Sequence, residues 1–265
     1  MPILSLPDAD LAYQVDGEGP PLLLIHGLGA NAATWELQVQ AFAPRYRVIT
    51  FDLRGTPASR DRLHPHGPFS IPQFAADTRA LLDHLGVEAA HVIGLSLGGM
   101  IAFQMAVDTP HYLRSMTIVN SGPAVVPRSL VEHWAIAVRQ LITRLAGPAT
   151  FAKILAPKLF PRPEHAELRE RFKATLGAND RRAYVATLNA ILGWTVLDRI
   201  GTIEIPTLVV TGDHDYTSVA SKEAYVRLMP RAKLVVVEDS RHALPMERAE
   251  AFNAVVAEFL ADLER

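Results

Sequence analysis

Gly94-Leu95-Ser96-Leu97-Gly98 reads G-x-S-x-G, and it stands between a short β-branched run, His91-Val92-Ile93, and an apolar stretch, Gly99-Met100-Ile101-Ala102-Phe103-Gln104-Met105-Ala106, that Pro110 halts. The flanks predict a buried strand entering a sharp turn and a helix leaving it. A serine on such a turn is pushed out of the backbone path, so its hydroxyl meets a substrate instead of packing. Glycine on both sides permits the turn, because a Cβ there would collide with the tightly folded chain. The bare pattern arises by chance about 0.1 times in a chain of this length and ordinary composition. The flanking elements and the residues downstream therefore carry the reading.

On either side of this turn the chain alternates strands with helices, which predicts an α/β fold with a mostly parallel, doubly wound sheet. Leu11 to Val15, Pro21 to His26, Arg47 to Phe51, Ser115 to Asn120, Thr207 to Thr211 and Lys233 to Val237 read as further strands. Ser70-Ile71-Pro72-Gln73 reads as a helix start, with a serine cap, a proline in the first turn and a glutamine at the capping-box position; Gly86 supplies the stop. The last helix carries Phe252, Val255, Val256, Phe259, Leu260 and Leu263 on one stripe.

Between Gly122 and Ile205 the rhythm changes to helices punctuated by Pro127, Pro148, Pro157, Pro161 and Pro163. The first of these helices has an apolar stripe of Val131, Trp134, Ala135, Val138, Leu141, Ile142 and Leu145. An all-helical insertion over the carboxyl ends of the strands is expected, where ligands bind in open α/β sheets. The predicted division is a core of residues 1–122 and 206–265 and a helical cap of residues 123–205, inserted after the sixth strand.

Composition narrows the class. At 265 residues with 49% hydrophobic and 20% charged, the chain suits one substantial core with a subdomain. Lys plus Arg total 26 against 28 for Asp plus Glu, a net charge of −2, which offers no electrostatic footprint for nucleic acid or an anionic membrane. With no cysteine, thiol catalysis, disulfides and thiolate metal sites are excluded. The N-terminal residues lack a basic segment followed by an apolar one, and no apolar run is long enough to span a bilayer. A cytoplasmic protein is expected.

A serine hydroxyl needs a base to remove its proton and a third group to orient that base. After Ser96, two strand ends could supply the acid. Asn120-Ser121-Gly122 contains no carboxylate, whereas Thr211-Gly212-Asp213-His214-Asp215 contains two.

Nearly the whole chain resembles the α/β-hydrolase family, in its serine esterase and enol-lactonase branch. Gly212 and Asp215 match the family pattern G-x-x-D, so the resemblance implies Asp215 as the acid, with Asp213 the second candidate or else a turn residue hydrogen-bonding its own backbone. It implies His242 as the base, in Asp239-Ser240-Arg241-His242-Ala243-Leu244-Pro245 after the last strand. Most family members carry glycine before this histidine; here it is Arg241, expected to pair with Glu238 or Asp239. The oxyanion donors are then the amides of Leu97, after the nucleophile, and of Leu28, in a loop His26-Gly27-Leu28-Gly29 similar to the family's H-G-x loop. His26 is expected to hold that loop. The pattern D-x-R-G-x-G-x-S is partly kept in Asp52 to Ser59, with Pro57 replacing the second glycine, and Asp52 and Arg54 are assigned to scaffolding.

The resemblance implies a hydrolase for a small to medium, mainly hydrophobic ester or lactone, with no metal and no organic cofactor. Trp134, Tyr184, Leu188 and Trp194 are candidates for an acyl or alkyl pocket, or else for the core of the helical insertion itself. Haloalkane dehalogenases and epoxide hydrolases resemble this scaffold but use a carboxylate nucleophile, and Ser96 argues against both. Cofactor-free haloperoxidases and perhydrolases keep the serine triad, yet many have proline where this chain has Gly29. A carbon–carbon bond hydrolase uses the same triad. The reading from another class is a ligand-binding receptor on a hydrolase scaffold with negligible turnover.

Overall fold

The computed structural model describes residues 1–126 and 130–264. Among them are nine strands: β1 (Ile3–Ser5), β2 (Ala9–Asp16), β3 (Pro21–Ile25), β4 (Arg47–Phe51), β5 (Arg60–Asp61), β6 (Ala90–Leu95), β7 (Leu113–Val119), β8 (Thr207–Gly212) and β9 (Ala232–Val237). The helices are α1 (Glu36–Phe42), α2 (Ile71–His84), α3 (Leu97–Asp108), α4 (Leu130–Leu159), α5 (Ala166–Gly177), α6 (Arg181–Ile191), α7 (Val219–Val226), α8 (Leu244–Glu247) and α9 (Ala249–Leu263). The strands form one sheet in the order β1-β2-β4-β3-β6-β7-β8-β9, with β5 paired to β2. From β4 to β9 the neighbours are parallel; β1, β2 and β5 add an antiparallel edge.

The sheet is buried on both faces, as its continuous apolar strands require. In β3, Leu23 and Ile25 pack into one apolar cluster with Phe74 of α2 and Phe103 of α3. The alternate residues Leu22 and Leu24 pack into a second cluster with Trp35, Phe42 and Phe252. Each such leucine contributes about 1.5–3 kcal/mol by leaving water. Every residue from Leu97 to Ala106 is buried, so α3 is apolar all round and runs through the core. The start of α2 is as expected: the Ser70 hydroxyl accepts from the Gln73 amide at 3.2 Å, and Gly86 follows with φ +63°.

Asp52 and Arg54 brace the loop after β4. Asp52 accepts from the Ala32 amide at 2.8 Å. The buried Arg54 guanidinium grips both oxygens of Asp77 (2.8 and 2.7 Å) and reaches Asp61 and Asp8, each at 2.7 Å.

The helices α4, α5 and α6 lie between β7 and β8. The insertion follows the seventh strand in chain order, not the sixth: besides the five strands read from the sequence before it, the chain forms the short edge strands β1 and β5. Within α4, Gly147 breaks the helix at φ 79° and ψ 170°, and Pro148 follows. The stripe on α4 is not a buried seam: Trp134, Leu141 and Leu145 are exposed. Pro127 and the side chains of Val131 and Ala135 lie outside the described residues. No helix among the described residues is long and apolar enough to cross a membrane.

Candidate active site

The sheet delivers β3, β6, β7, β8 and β9 with their carboxyl ends on one side, and the candidate residues occupy the loops there. Ser96 follows β6 with φ 53° and ψ −111°, a left-handed backbone rarely adopted by a residue with a side chain. The surroundings enforce it. A Cβ on Gly94 would lie 2.3 Å from the Gly98 carbonyl oxygen, and one on Gly98 would lie 2.1 Å from that of Ile25. Only glycine fits at either position. The Ser96 amide donates to the Val119 carbonyl at 2.9 Å, and the Ser121 hydroxyl donates to the Ser96 carbonyl at 2.6 Å. Ser96 heads α3 without capping it through its side chain, so the hydroxyl is left for other chemistry.

The carboxylate of Asp215 and the ring of His242 meet at 2.6 Å, Oδ1 to Nδ1. The Asp215 side chain is 1% exposed and that of His242 is 20% exposed. Burial alone pushes the Asp215 carboxyl up. The hydrogen bond to His242 and the charges of His242 and Lys222 outweigh it and hold the group well below the usual carboxylate range. An ionised Asp215 accepts the Nδ1 proton, which leaves Nε2 as the basic nitrogen. The Tyr216 ring stacks on the imidazole with centroids 4.3 Å apart. Among the described residues Ser96 Oγ has no direct hydrogen bond to this ring, a spacing common before substrate binds. Ser96 and His242 are nonetheless tied to the same strand end, because the Asn120 side-chain amide donates to the carbonyls of Arg241 (2.9 Å) and His242 (3.0 Å).

Asp213 bonds neither its own turn nor the His242 ring; its carboxylate accepts from the Ser240 amide at 3.0 Å and so steadies the His242 loop. Arg241 pairs chiefly with Glu247, through its backbone amide at 2.7 Å and its guanidinium at 2.9 Å, and stands 4.0 Å from Asp239. Of the expected partners Asp239 keeps a long contact, and Glu247 takes the closer one because that buried carboxylate is presented across the loop by α8. Sequence reasoning missed Asn120, Lys222 and Tyr216. A lysine at the buried position of α7, three residues before the buried Tyr225, was the available signal for Lys222.

Leu28 and Leu97 line a small pocket of about 10 Å³, with Gly27, Gly29, Asn179 and Tyr184 on its other walls; Ser96 and His242 are not on its lining. That volume holds one water-sized group. His26 braces the loop: its Nε2 accepts from the Leu53 amide at 3.0 Å, so its Nδ1 donates to the Gly27 carbonyl at 2.8 Å. Burial pushes its imidazole down, against the charge of Asp52, and keeps it neutral. Of the pocket candidates, Tyr184 lines this cavity. Leu188 is buried, Trp194 donates to Gln104 at 2.8 Å while packing on the core, and Trp134 is 68% exposed. A larger open cleft of about 570 Å³, lined by Phe69, Arg144, Arg181 and Arg182 among others, shares none of these residues.

Comparison with known proteins agrees with this architecture. Residues 20–249 match a family model described as alpha/beta hydrolase fold. A protein of Azorhizobium caulinodans named putative carbamate hydrolase RutD is 30% identical, with all of both chains covered. The 3-oxoadipate enol-lactonase 2 of Acinetobacter baylyi is 29% identical, over 96% of this chain and 94% of that one. The crystal structure of the enol-lactonase from Burkholderia xenovorans is 25% identical and superimposes with a TM-score of 0.90, covering 98% of this chain and all of the other. The chain belongs to the alpha/beta hydrolase fold family.

Proposed function

We propose that this hydrolase cleaves small to medium, mainly hydrophobic carboxylic esters or lactones through an acyl-enzyme on Ser96. The observation that carries the reading is the buried Asp215–His242 pair at 2.6 Å, tethered to the same strand end as a serine in a strained turn. His242 Nε2 takes the Ser96 proton as Oγ attacks the carbonyl carbon. The amides of Leu28 and Leu97 then hold the tetrahedral oxyanion. The C–O bond to the alcohol breaks as His242 returns the proton to that oxygen; in a lactone the alcohol stays attached to the acyl group. Water, deprotonated by the same ring, attacks the acyl-enzyme and releases the acid and Ser96. The helices α4 to α6 act as the cap that shapes the acyl side. The names of the relatives support cleavage at an acyl carbon and bring lactones and carbamates into the substrate range.

The perhydrolase reading is weaker at the oxyanion loop. Gly29 has φ +75°, which proline cannot adopt, so this loop differs from one with proline there. A panel of esters, lactones, thioesters and carbamates of graded chain length tests the proposal beside Ser96→Ala. Rapid turnover abolished by the substitution supports it. Tight binding without turnover would instead favour a receptor.

A further inference from the structure

Lys222 is the buried charged group that the mechanism above does not use. It sits on α7 with its side chain 1% exposed, and lysine is almost never buried so completely unless paired. Its ammonium donates to Asp215 Oδ2 at 2.6 Å, to the Thr217 carbonyl at 2.8 Å and to the Thr217 hydroxyl. Those three acceptors satisfy its three hydrogens. The Thr217 hydroxyl in turn donates to the same Oδ2 at 3.0 Å. Asp215 is therefore divided: one oxygen serves Lys222 and Thr217, the other serves His242.

The fold alone does not call for this pair. A buried ion pair is often replaced by apolar residues without loss of stability, and α7 already packs its neighbour Tyr225 into the core. What the ammonium does that a methionine would not is fix the carboxylate's rotation and place a positive charge behind it. We infer that Lys222 is a positioning residue of the proposed hydrolytic centre, holding Asp215 Oδ2 so that Oδ1 faces His242, and setting with its charge the acid limit of activity. This inference rests on the serine-hydrolase reading.

The sign follows from Coulomb's law. A fixed positive charge on the far side of the shared carboxylate disfavours a second positive charge on the imidazole, so removing it should move the acid limb of activity to higher pH. The other charged or titratable groups around the pair are held by partners of their own. Arg241 is neutralised by Glu247. Asp213 is engaged with the Ser240 amide, and His214 lies 3.8 Å from that carboxylate. The Tyr225 hydroxyl donates to the Ser121 carbonyl at 3.0 Å, its phenol pushed up by burial and then by the charge of Asp215. Tyr216 stacks on the imidazole, and from the helical insertion Arg139 acts on Tyr216 while hydrogen-bonding Tyr184.

The test is the pH dependence of Ser96 labelling by a fluorophosphonate, from about pH 4 to about pH 9, in wild type, Lys222→Met and Lys222→Gln. Both variants should show the acid limb moved to higher pH by about one unit, with a plateau rate within about tenfold of wild type. A plateau that falls while the limb stays in place would mean a purely structural role and overturn the inference. Wild-type protein that is never labelled on Ser96 overturns the serine-hydrolase reading instead. If neither variant folds, NMR of the wild type decides: an exchange-protected Lys222 ammonium signal that shifts as His242 titrates is expected, and one indifferent to it refutes the coupling.

Discussion

At the scale of single residues, the site depends on side chains that never touch a substrate. Asn120 is the clearest. Its oxygen accepts from the Thr211 hydroxyl and the Gly212 amide, both at 3.0 Å, while its nitrogen holds the Arg241 and His242 carbonyls. One amide thus joins the loop after β7, the end of β8 and the loop after β9. Asn120→Ala strips partners from buried backbone groups, at about 1–3 kcal/mol. Because those groups carry His242, kcat should fall about 10- to 100-fold with KM little changed. An unaltered kcat would show that the histidine loop holds itself. The two neighbouring carboxylates separate in the same way. Asp215→Asn removes the negative charge and puts an amide donor within reach of Nδ1, so the imidazole tautomer is no longer fixed, and it should cost about 10³–10⁴-fold in kcat. Asp213→Asn keeps an acceptor for the Ser240 amide and should cost less than about tenfold. Since Asp215 stays ionised far below neutral pH, its protonation adds nothing to the acid limb of kcat/KM. That limb should have a slope of one; a slope of two would mean the carboxylate titrates with the histidine.

Elements differ in how much of their apolar surface is spent on the core. Phe103 on α3 is fully buried beneath the turn that carries Ser96, and its ring meets Tyr225 edge-on at 5.9 Å. Leu141 and Leu145 on α4 are 56% and 72% exposed. The sequence shows α3 as a continuous apolar run and α4 as an apolar stripe, and a stripe reports which residues share a face and not whether that face is covered. The cover for α3 is the sheet and α2. For α4 the buried contacts come from other positions, such as Thr143 and Ala152, and from the turn at Gly147 that redirects the chain. Phe103→Ala should therefore destabilise the protein by about 3–5 kcal/mol. Leu141→Gln with Leu145→Gln should change stability by no more than about 0.5 kcal/mol per site. Chemical denaturation of both variants checks the contrast, and a large loss from the α4 pair would mean that its stripe is covered in solution.

Across the whole molecule, the legible features were those each residue announces beside its own strand end. The glycines around Ser96, the Asp215 turn and the His242 loop each follow a recognisable strand, so the parallel sheet gathers them on one side without further information. What pairs across the fold was not legible: Asn120 with the His242 loop, Lys222 with Asp215, Arg241 with Glu247, and Tyr184 with Gly29. These pairings arise from the crossing of loops and helices, which periodicity does not encode. The last of them bears on substrate size. A Cβ on Gly29 would lie 2.8 Å from the Tyr184 ring, so that ring closes directly over the loop of His26 to Gly29. The Asn179 side chain ties the same helical insertion to the Gly29 carbonyl at 3.0 Å. If this ring limits the acyl chain, acetate and propionate esters should be preferred over hexanoate. Tyr184→Ala opens the apolar wall shared with Leu28 and Leu176. A buried methylene adds about 0.8 kcal/mol, so the ratio of kcat/KM for hexanoate over acetate should rise at least about tenfold in this variant. That ratio is independent of how much of the enzyme is folded, so a loss of stability from truncating a buried ring does not distort it. An unchanged ratio would mean that the acyl chain leaves the site by another wall and that Tyr184 serves packing alone.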